Sequence, residues 1–401
     1  MTADKPAPTH KGRSGESVRQ HNLSTVLRLV HLQGTILRSK ITATTGLNRS
    51  TVSDLVSELS ELGLVVEKET EAPTGVGRPS MVVTATDNII AFSVNPEIDA
   101  TTVSAVALSG RVVFKERKWM RSRPTAENAI AVASEMIAKM RKELDPGIRI
   151  VGVGVSAPGQ VRSSDGVIRF APHSGWVESA FAAALSQETG LPVLLGNDAS
   201  LGCIAEARFG AAKGMNDVVF LFAGSGSGVG GGVISDGRTV SGAAGYAGEL
   251  GHIRISSSKQ VDYAGFPGTL EALVRRNDLL DMFKLYVATD EELDAEIRST
   301  ESTKAKRLIK DQIESLGDGI STLVNIFNPE VVVLGGFLTS LFDFAPDLLI
   351  SQMKRGSLAA ASESVVIRKG ALGSNLLVLG AAELPFEALI SRPSTFSLTD
   401  A

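Results

Sequence analysis

The sequence predicts an α/β protein headed by a winged helix-turn-helix. Three observations carry that expectation. Residues 19–84 read in order as a helix, a short helix, a glycine turn, a capped helix and two strands. From residue 85 onward, short runs of β-branched and other apolar residues alternate with amphipathic helical stretches. Glycine and proline fall at the ends of those runs, where loops would carry a ligand site.

The 401 residues are enough for two or three domains with a sizeable core. An apolar share of 43% beside 21% charged residues fits a soluble globular chain and argues against a disordered or fibrous one. No apolar run approaches the roughly 20 residues of a membrane span. The opening MTADKPAPTHKGRSGES has no apolar core to act as a signal peptide, so a cytoplasmic location without a membrane partner is expected. The single cysteine, Cys203, excludes an internal disulfide and any multi-cysteine metal site, and in its Ala-rich setting it reads as core. The net charge of −4 does not point to nucleic acid, but basic residues slightly outnumber acidic ones over residues 1–80 and the balance reverses beyond.

Taken in order, residues 1–18 are polar without periodicity and read as a disordered tail. Val26, Leu27, Leu29 and Val30 mark the first helix, and a second runs from about Arg38 to Thr44. Gly46 permits a tight turn, Leu47 plugs it, and Asn48 caps a helix reaching about Leu62, with Val52, Leu55, Val56 and Leu59 on one face. Arg49, Ser50, Thr51 and Ser53 are left near the exposed N-terminal end, where a recognition helix meets DNA. A wing follows: a strand from Leu64 to Glu69, a turn through Gly75 and Gly77, and a return from Pro79 to Thr84, with Arg78 able to reach a phosphate or minor groove. Acidic Glu67, Glu69 and Glu71 in the wing count against DNA, as does Leu37 where a capping Ser would help the second helix.

The strand-like runs of the remainder are NIIAFSV, TVSAVALS, RVVFKER, RIVGVGVS, LPVLLG, DVVFLFA, GGVIS and EVVVLGG. Helical stretches include Ala126 to Glu143, Ala199 to Phe209, a long amphipathic one from Ser302 to Phe327, and a last one near 372–390 before a polar tail at 391–401.

Asn197, Asp198, Glu249, His252 and Glu271 stand among glycines and small apolar residues that cannot satisfy them, a setting suited to a ligand with many hydroxyls. Singly, each has an ordinary structural reading: Glu249 as a turn cap, His252 as a core histidine, Glu271 as a surface residue of a helix. Gly226, Gly228 and Gly231 match G-x-G-x-x-G, but GGVISDGRTVSG reads as strand, Asp236-Gly237 turn and strand instead of a helix. A glycine-rich hairpin, or a phosphate-facing loop between two strands, is expected there in place of a dinucleotide site.

Landmarks then accumulate: GRP at 77–79, VGVGVSAPGQV at 151–161, LGNDASLGCIAEARFG at 195–210, SGSGVGGGVISDG, GAAGYAGELGH, and NPEVVVLGG at 328–336. As an ordered set they resemble the ROK family (repressors, open reading frames and sugar kinases) in its repressor form, over nearly all of residues 19–390. The resemblance implies a two-lobed actin-like, ribonuclease H-like fold: a small lobe over 85–200 to which the helix at 372–390 returns, and a large lobe over 201–371. It implies a sugar or sugar phosphate in the cleft, bound by Asn197, Asp198, Glu249, His252 and Glu271, a dimer or tetramer, and a palindromic DNA operator. Asp198 matches the base of the kinase members.

Three departures qualify the resemblance. Where kinase members carry D-x-G-G-T this chain has VNPEID: Asn95 offers a metal less charge, Pro96 has no N–H to donate, and Glu97 would repel phosphate. Neither ATP nor magnesium, and no kinase activity, is therefore expected. Where many members place zinc-binding cysteines, DYAGFPGTLE puts Asp262, Ala264 and Thr269, too few ligands for structural zinc. No zinc is expected, leaving the His252 ring to be fixed by packing. His173 in APHSGW replaces a family Asn, which bears on the choice of sugar. The expected function is a sugar-responsive regulator, a repressor of carbohydrate genes. An active sugar kinase with an appended DNA-binding domain is the alternative.

Overall fold

Capping and apolar spacing build the N-terminal head. α1 (Gly15–Gln33) buries Leu23, Val26, Leu27 and Val30, and β1 (Thr35–Leu37) leads into α2 (Arg38–Thr45), which ends on Gly46 in the left-handed conformation. Leu37 gives α2 no side-chain cap. Asn48 caps α3 (Arg49–Glu61) by accepting the Thr51 backbone N–H at 2.8 Å, while Val52, Leu55, Val56 and Leu59 face inward. β2 (Val65–Glu69) and β3 (Met81–Ala85) pair antiparallel, and β1 adds to the other edge of β3.

The structure is a computed structural model that describes residues 15–69, 81–120, 123–224, 228–285 and 288–396. The wing turn with Gly75, Gly77, Arg78 and Pro79 lies outside them, as do Gly226 and residues 1–14. Residues 15–18, expected to belong to a disordered tail, form the first turn of α1, where Glu16 suits the helix dipole.

The body repeats one plan twice. β4 (Ile89–Pro96), β5 (Ala100–Ala107) and β6 (Val112–Trp119) form an antiparallel meander. α4 (Ala126–Glu143) leads to β7 (Arg149–Ala157). A small sheet of β8 (Gln160–Arg162), β9 (Val167–Ala171) and β10 (Trp176–Ser179), then α5 (Phe181–Thr189), precede β11 (Val193–Asn197). The first sheet runs β11-β7-β4-β5-β6, with β7 and β11 parallel to β4. α6 (Asp198–Phe209) crosses to the second meander: β12 (Val218–Ala223), β13 (Gly230–Ser235) and β14 (Arg238–Thr239). After α7 (Leu270–Leu273), α8 (Arg276–Phe283), α9 (Asp290–Ser299) and α10 (Thr303–Phe327), β15 (Val331–Gly336) pairs parallel to β12. α11 (Leu338–Phe344), α12 (Pro346–Gly356) and α13 (Ala359–Ser362) then bring β16 (Val366–Lys369) beside β15, giving the order β14-β13-β12-β15-β16. In both sheets three antiparallel strands come first, and two parallel strands are added through helical crossovers at the edge left free.

α14 (Leu376–Ser391) returns to the first sheet. Gly154 on β7 makes this possible, because a Cβ there would lie 1.8 Å from the Ala381 carbonyl oxygen. That carbonyl has no intrahelical donor, since the residue four further on is Pro385. The helix at Gly373–Ser391 is long and apolar enough to cross a membrane by length and composition, although Glu383 and Glu387 interrupt its apolar run. More than half of it is buried, and its Glu383 and Glu387 are ion-paired, so it is a core helix. Val378, Ala382, Phe386, Leu389 and Ile390 share one apolar core with α1, α3 and strands β4 and β5. The polar tail is docked at its start, with Arg149 stacked 3.7 Å over the Phe396 ring.

Candidate functional site

β11 ends and α6 begins at Asn197 and Asp198. The Asn197 side chain is occupied by the fold: Oδ1 accepts the Ser200 backbone N–H at 2.9 Å, capping α6, and Nδ2 donates to the Gly159 carbonyl at 3.0 Å. Asp198 accepts the Ala199 N–H at 2.8 Å. Burial pushes its carboxyl up to about 6, and the nearby Glu249 carboxylate acts in the same direction.

The stretch Ser241 to His252 lies over β13. A Cβ on Gly251 would stand 1.8 Å from the Val229 carbonyl oxygen, so only glycine lets the two backbones approach. Burial raises the carboxyl of Glu249, which has no capping bond to the helical turn it precedes. His252 donates from Nδ1 to Asp262 Oδ2 at 2.8 Å, because an ionised carboxylate can only accept; in the neutral imidazole Nε2, which has no hydrogen-bond partner among the described residues, is the acceptor nitrogen. The expectation that packing alone fixes the His252 ring is thus corrected: a buried carboxylate does it.

Asp262 also accepts from Thr269 Oγ1 at 2.9 Å, Ala264 N–H at 2.9 Å and Phe266 N–H at 2.8 Å. Burial alone would raise its carboxyl, but these bonds, led by that from His252, hold it below the ordinary value. Glu271 is not a surface residue: it is buried in α7 and accepts Val229 N–H at 2.8 Å and Tyr263 N–H at 3.4 Å, with burial raising its carboxyl.

Asn197 and Glu249 line one small cleft with Gly159, Gln160, Gly231 and Gly248. His252, Asp262 and Glu271 present one ligating atom each within 4.8 Å of one another. His173, from the β9–β10 turn, sets its ring 4.1 Å from that of Tyr263 and its Nε2 against Gly228. Burial, helped by Arg123 and His252, lowers the His173 imidazole to about 4, so it is neutral at pH 7. Sequence reasoning reached His173 only as a replacement, and it missed Tyr263 and the clamping role of Asp262, whose signal is long-range burial. The trio of His252, Asp262 and Glu271 does not fit a structural metal centre, because every lone pair direction of Asp262 is already taken by an N–H or O–H group.

The turn from β4 to β5 holds Asn95, Pro96 and Glu97. Asn95 Oδ1 accepts from Ser156 Oγ at 3.1 Å, the Glu97 N–H is spent on the Ala100 carbonyl, and the Glu97 carboxylate pairs with Arg117 at 2.5 Å and accepts from Thr102. In the second hairpin β12 pairs antiparallel with β13, so the glycine run opens a strand, as expected, and no dinucleotide helix. On α3, Arg49 and Ser50 are exposed, Ser50 Oγ donates to Asn48, and Ser53 Oγ accepts from Arg38, which is itself ion-paired to Glu67.

The ROK family model matches residues 98–387. The chain belongs to the ROK family. Among ROK members it is 28% identical to the xylose repressor of Caldicellulosiruptor bescii over 392 residues, 94% of this chain and 98% of that one. It is 28% identical to the DNA-binding transcriptional dual regulator NagC of Escherichia coli over 340 residues, 80% and 82% of the two chains. A ROK transcriptional regulator described as a homologue of the E. coli MLC protein superposes with a TM-score of 0.75 at 21% identity, covering 96% of this chain and all of that one. The ROK hexokinase of Thermus thermophilus superposes at 0.62 with 27% identity, covering 75% and 99%. The body is therefore the mixed α/β ROK fold, similar to the actin-like sugar kinases and to ROK repressors.

Proposed function

We propose that this chain is a sugar-responsive, DNA-binding transcriptional regulator that represses carbohydrate genes. The observation that carries the reading is the join of a ROK body to a head in which α2, the Gly46 turn and Asn48-capped α3 have helix-turn-helix order, with β2 and β3 as the wing. The exposed start of α3 offers Arg49, Ser50 and Thr51 to DNA. Relatives that match along nearly the whole chain are named repressors, which supports the reading.

In the cleft, Asp198, Glu249, His252 and Glu271 read sugar hydroxyls, while Asn197 sets the α6 N-terminus that carries Asp198. The carboxylates accept from hydroxyls, and His252 Nε2 adds an acceptor whose direction Asp262 sets. The protein acts in the cytoplasm as a homodimer or homotetramer on a palindromic operator, without bound zinc, ATP or magnesium. Operator fragments selected from genomic DNA by the full-length protein, then titrated with D-xylose, D-glucose and N-acetyl-D-glucosamine, test the whole. A protein that selects no DNA, or whose affinity no carbohydrate changes, is not this regulator.

A second reading, an active sugar kinase, draws on Asp198, whose carboxyl near 6 suits a general base. Against it stands the β4–β5 turn, where the Glu97 carboxylate is fixed by Arg117, the Glu97 N–H is spent on the Ala100 carbonyl, and Pro96 has no N–H to offer a phosphate. Phosphotransfer to a hexose panel, abolished in Asp198→Asn, would establish the kinase instead.

A further inference from the structure

The proposed function uses only one end of α6. The other end meets the head through buried groups that no ligand role explains. Arg208, in the last turn, forms a close ion pair with Glu383, which is buried in α14. The second oxygen of Glu383 accepts from Nε2 of His31 on α1 at 2.8 Å, while His31 Nδ1 lies 2.6 Å from the Leu108 carbonyl. Arg208 also bonds Glu387 at 3.0 Å, which binds Arg28 of α1 through both oxygens at 2.6 Å. Phe209, the last residue of α6, sets its ring edge-on to His31 at 5.6 Å, and Lys213 just beyond donates to the Leu32 carbonyl at 2.9 Å.

α6 is 12 residues long, so its ends are about 18 Å apart. A hydrogen-bonded helix of that length is stiff along its axis, and its start carries Asp198. A shift of the cleft end thus moves Arg208 and Phe209 with it. Arg208 is tied to α1 through Glu383 and Glu387 of α14, carboxylates that bond His31 and Arg28, while Phe209 touches the His31 ring directly. Ordinary apolar packing would let α1 slide, whereas a bidentate guanidinium between two carboxylates fixes direction as well as distance.

We infer that Arg208, Glu383 and His31 form a positioning link by which α6 carries displacement at the cleft to the DNA-binding head. The link rests on the proposed regulator reading for its purpose, but its mechanical part does not. Hydrogen exchange of the full-length protein separates the two. Without sugar, Arg208→Gln speeds exchange of α1 about tenfold, since it removes the cation shared by one buried and one half-buried carboxylate and leaves them only His31 and Arg28, and Arg208→Lys, which keeps one ion pair, restores part of the protection. An α1 unchanged in Arg208→Gln overturns the link whatever the sugar does. With D-xylose, D-glucose or N-acetyl-D-glucosamine, a sugar that protects residues 245–252 and the start of α6 also changes exchange in α1 of the wild type. That remote change disappears in Arg208→Gln while protection of the cleft persists. A remote change that survives the substitution also overturns the link. If none of the sugars protects the cleft, the sugar reading fails, and the link stands or falls on the sugar-free comparison.

Discussion

Asp262 accepts a hydrogen bond from Nδ1 of His252 at 2.8 Å, with the carboxylate wholly enclosed and the imidazole about a quarter exposed. One side chain is therefore scaffold and the other is the presented face. Asp262→Asn keeps the shape but turns an NH2 group toward donors. It is expected to destabilise the protein by about 1–3 kcal/mol, read by urea denaturation, and to weaken sugar binding together with His252→Ala. A variant as stable as the wild type would show that the four bonds are not a clamp.

Asp198 predicts a pH dependence. Its folded value, about 6, lies above the ordinary 3.8, so the stability linked to it is fully present below the unfolded value and is lost as pH rises through 6. Asp198→Asn, which cannot ionise, should gain on the wild type above pH 6, by roughly 1–3 kcal/mol, with the difference vanishing below about pH 4. Thermal unfolding across pH 4–8 measures it, and a constant offset would remove Asp198 as the titrating group. Sugar affinity of the wild type should rise over the same interval, since the ionised carboxylate is the stronger acceptor.

Gly251→Ala puts a methyl group 1.8 Å from the Val229 carbonyl oxygen, where backbone must move. The variant should lose sugar response while retaining operator binding, because the change lies far from α3. Paired titrations of DNA and sugar decide it; loss of both together would indicate general unfolding.

The head separates serine from arginine. Arg49→Ala should weaken operator binding about tenfold or more and lower the salt slope by about one if it meets a phosphate. Ser53→Ala should change affinity much less, because Ser53 Oγ is engaged by Arg38. Equal losses from the two would place Ser53 on the DNA as well.

Metal content gives a plain measurement. Purified protein should carry far less than one equivalent of zinc, and chelation should leave its melting temperature unchanged. A stoichiometric metal lost together with stability would show that Asp262 exchanges its hydrogen bonds for coordination.

Elements with local signals were legible. Ser302 caps α10, whose apolar stripe runs to Phe327, and Asn48 caps α3, both within a residue of expectation. The strand after the glycine run was legible because Asp236-Gly237 makes a turn where a dinucleotide fold needs a helix. β1 and β8–β10 were not, being too short for alternation to emerge. Nor was Asp262 as a clamp: its burial arises from bridges joining Arg254 to Thr269 and Val261 to Pro267, which no local pattern encodes. Asn197 stands out by residue type, and its cap bond to Ser200 is local, but its bond to Gly159 depends on where β8 begins. The partners of Glu383 are 175 and 352 positions away, so nothing in its neighbourhood announces them.

The apolar core that α14 shares with α1 and α3 has a practical consequence for anyone who would rewire such a regulator. A chimera that transplants the first 85 residues alone leaves the donor's helices facing a foreign C-terminus, with Leu23, Val26 and Leu27 meeting side chains they were not shaped for. The transferable unit is discontinuous: it has to bring the last helix from the opposite end of the gene. By the same logic a truncation that reaches Ile390, though remote in sequence from the head, unpacks α1 and α3.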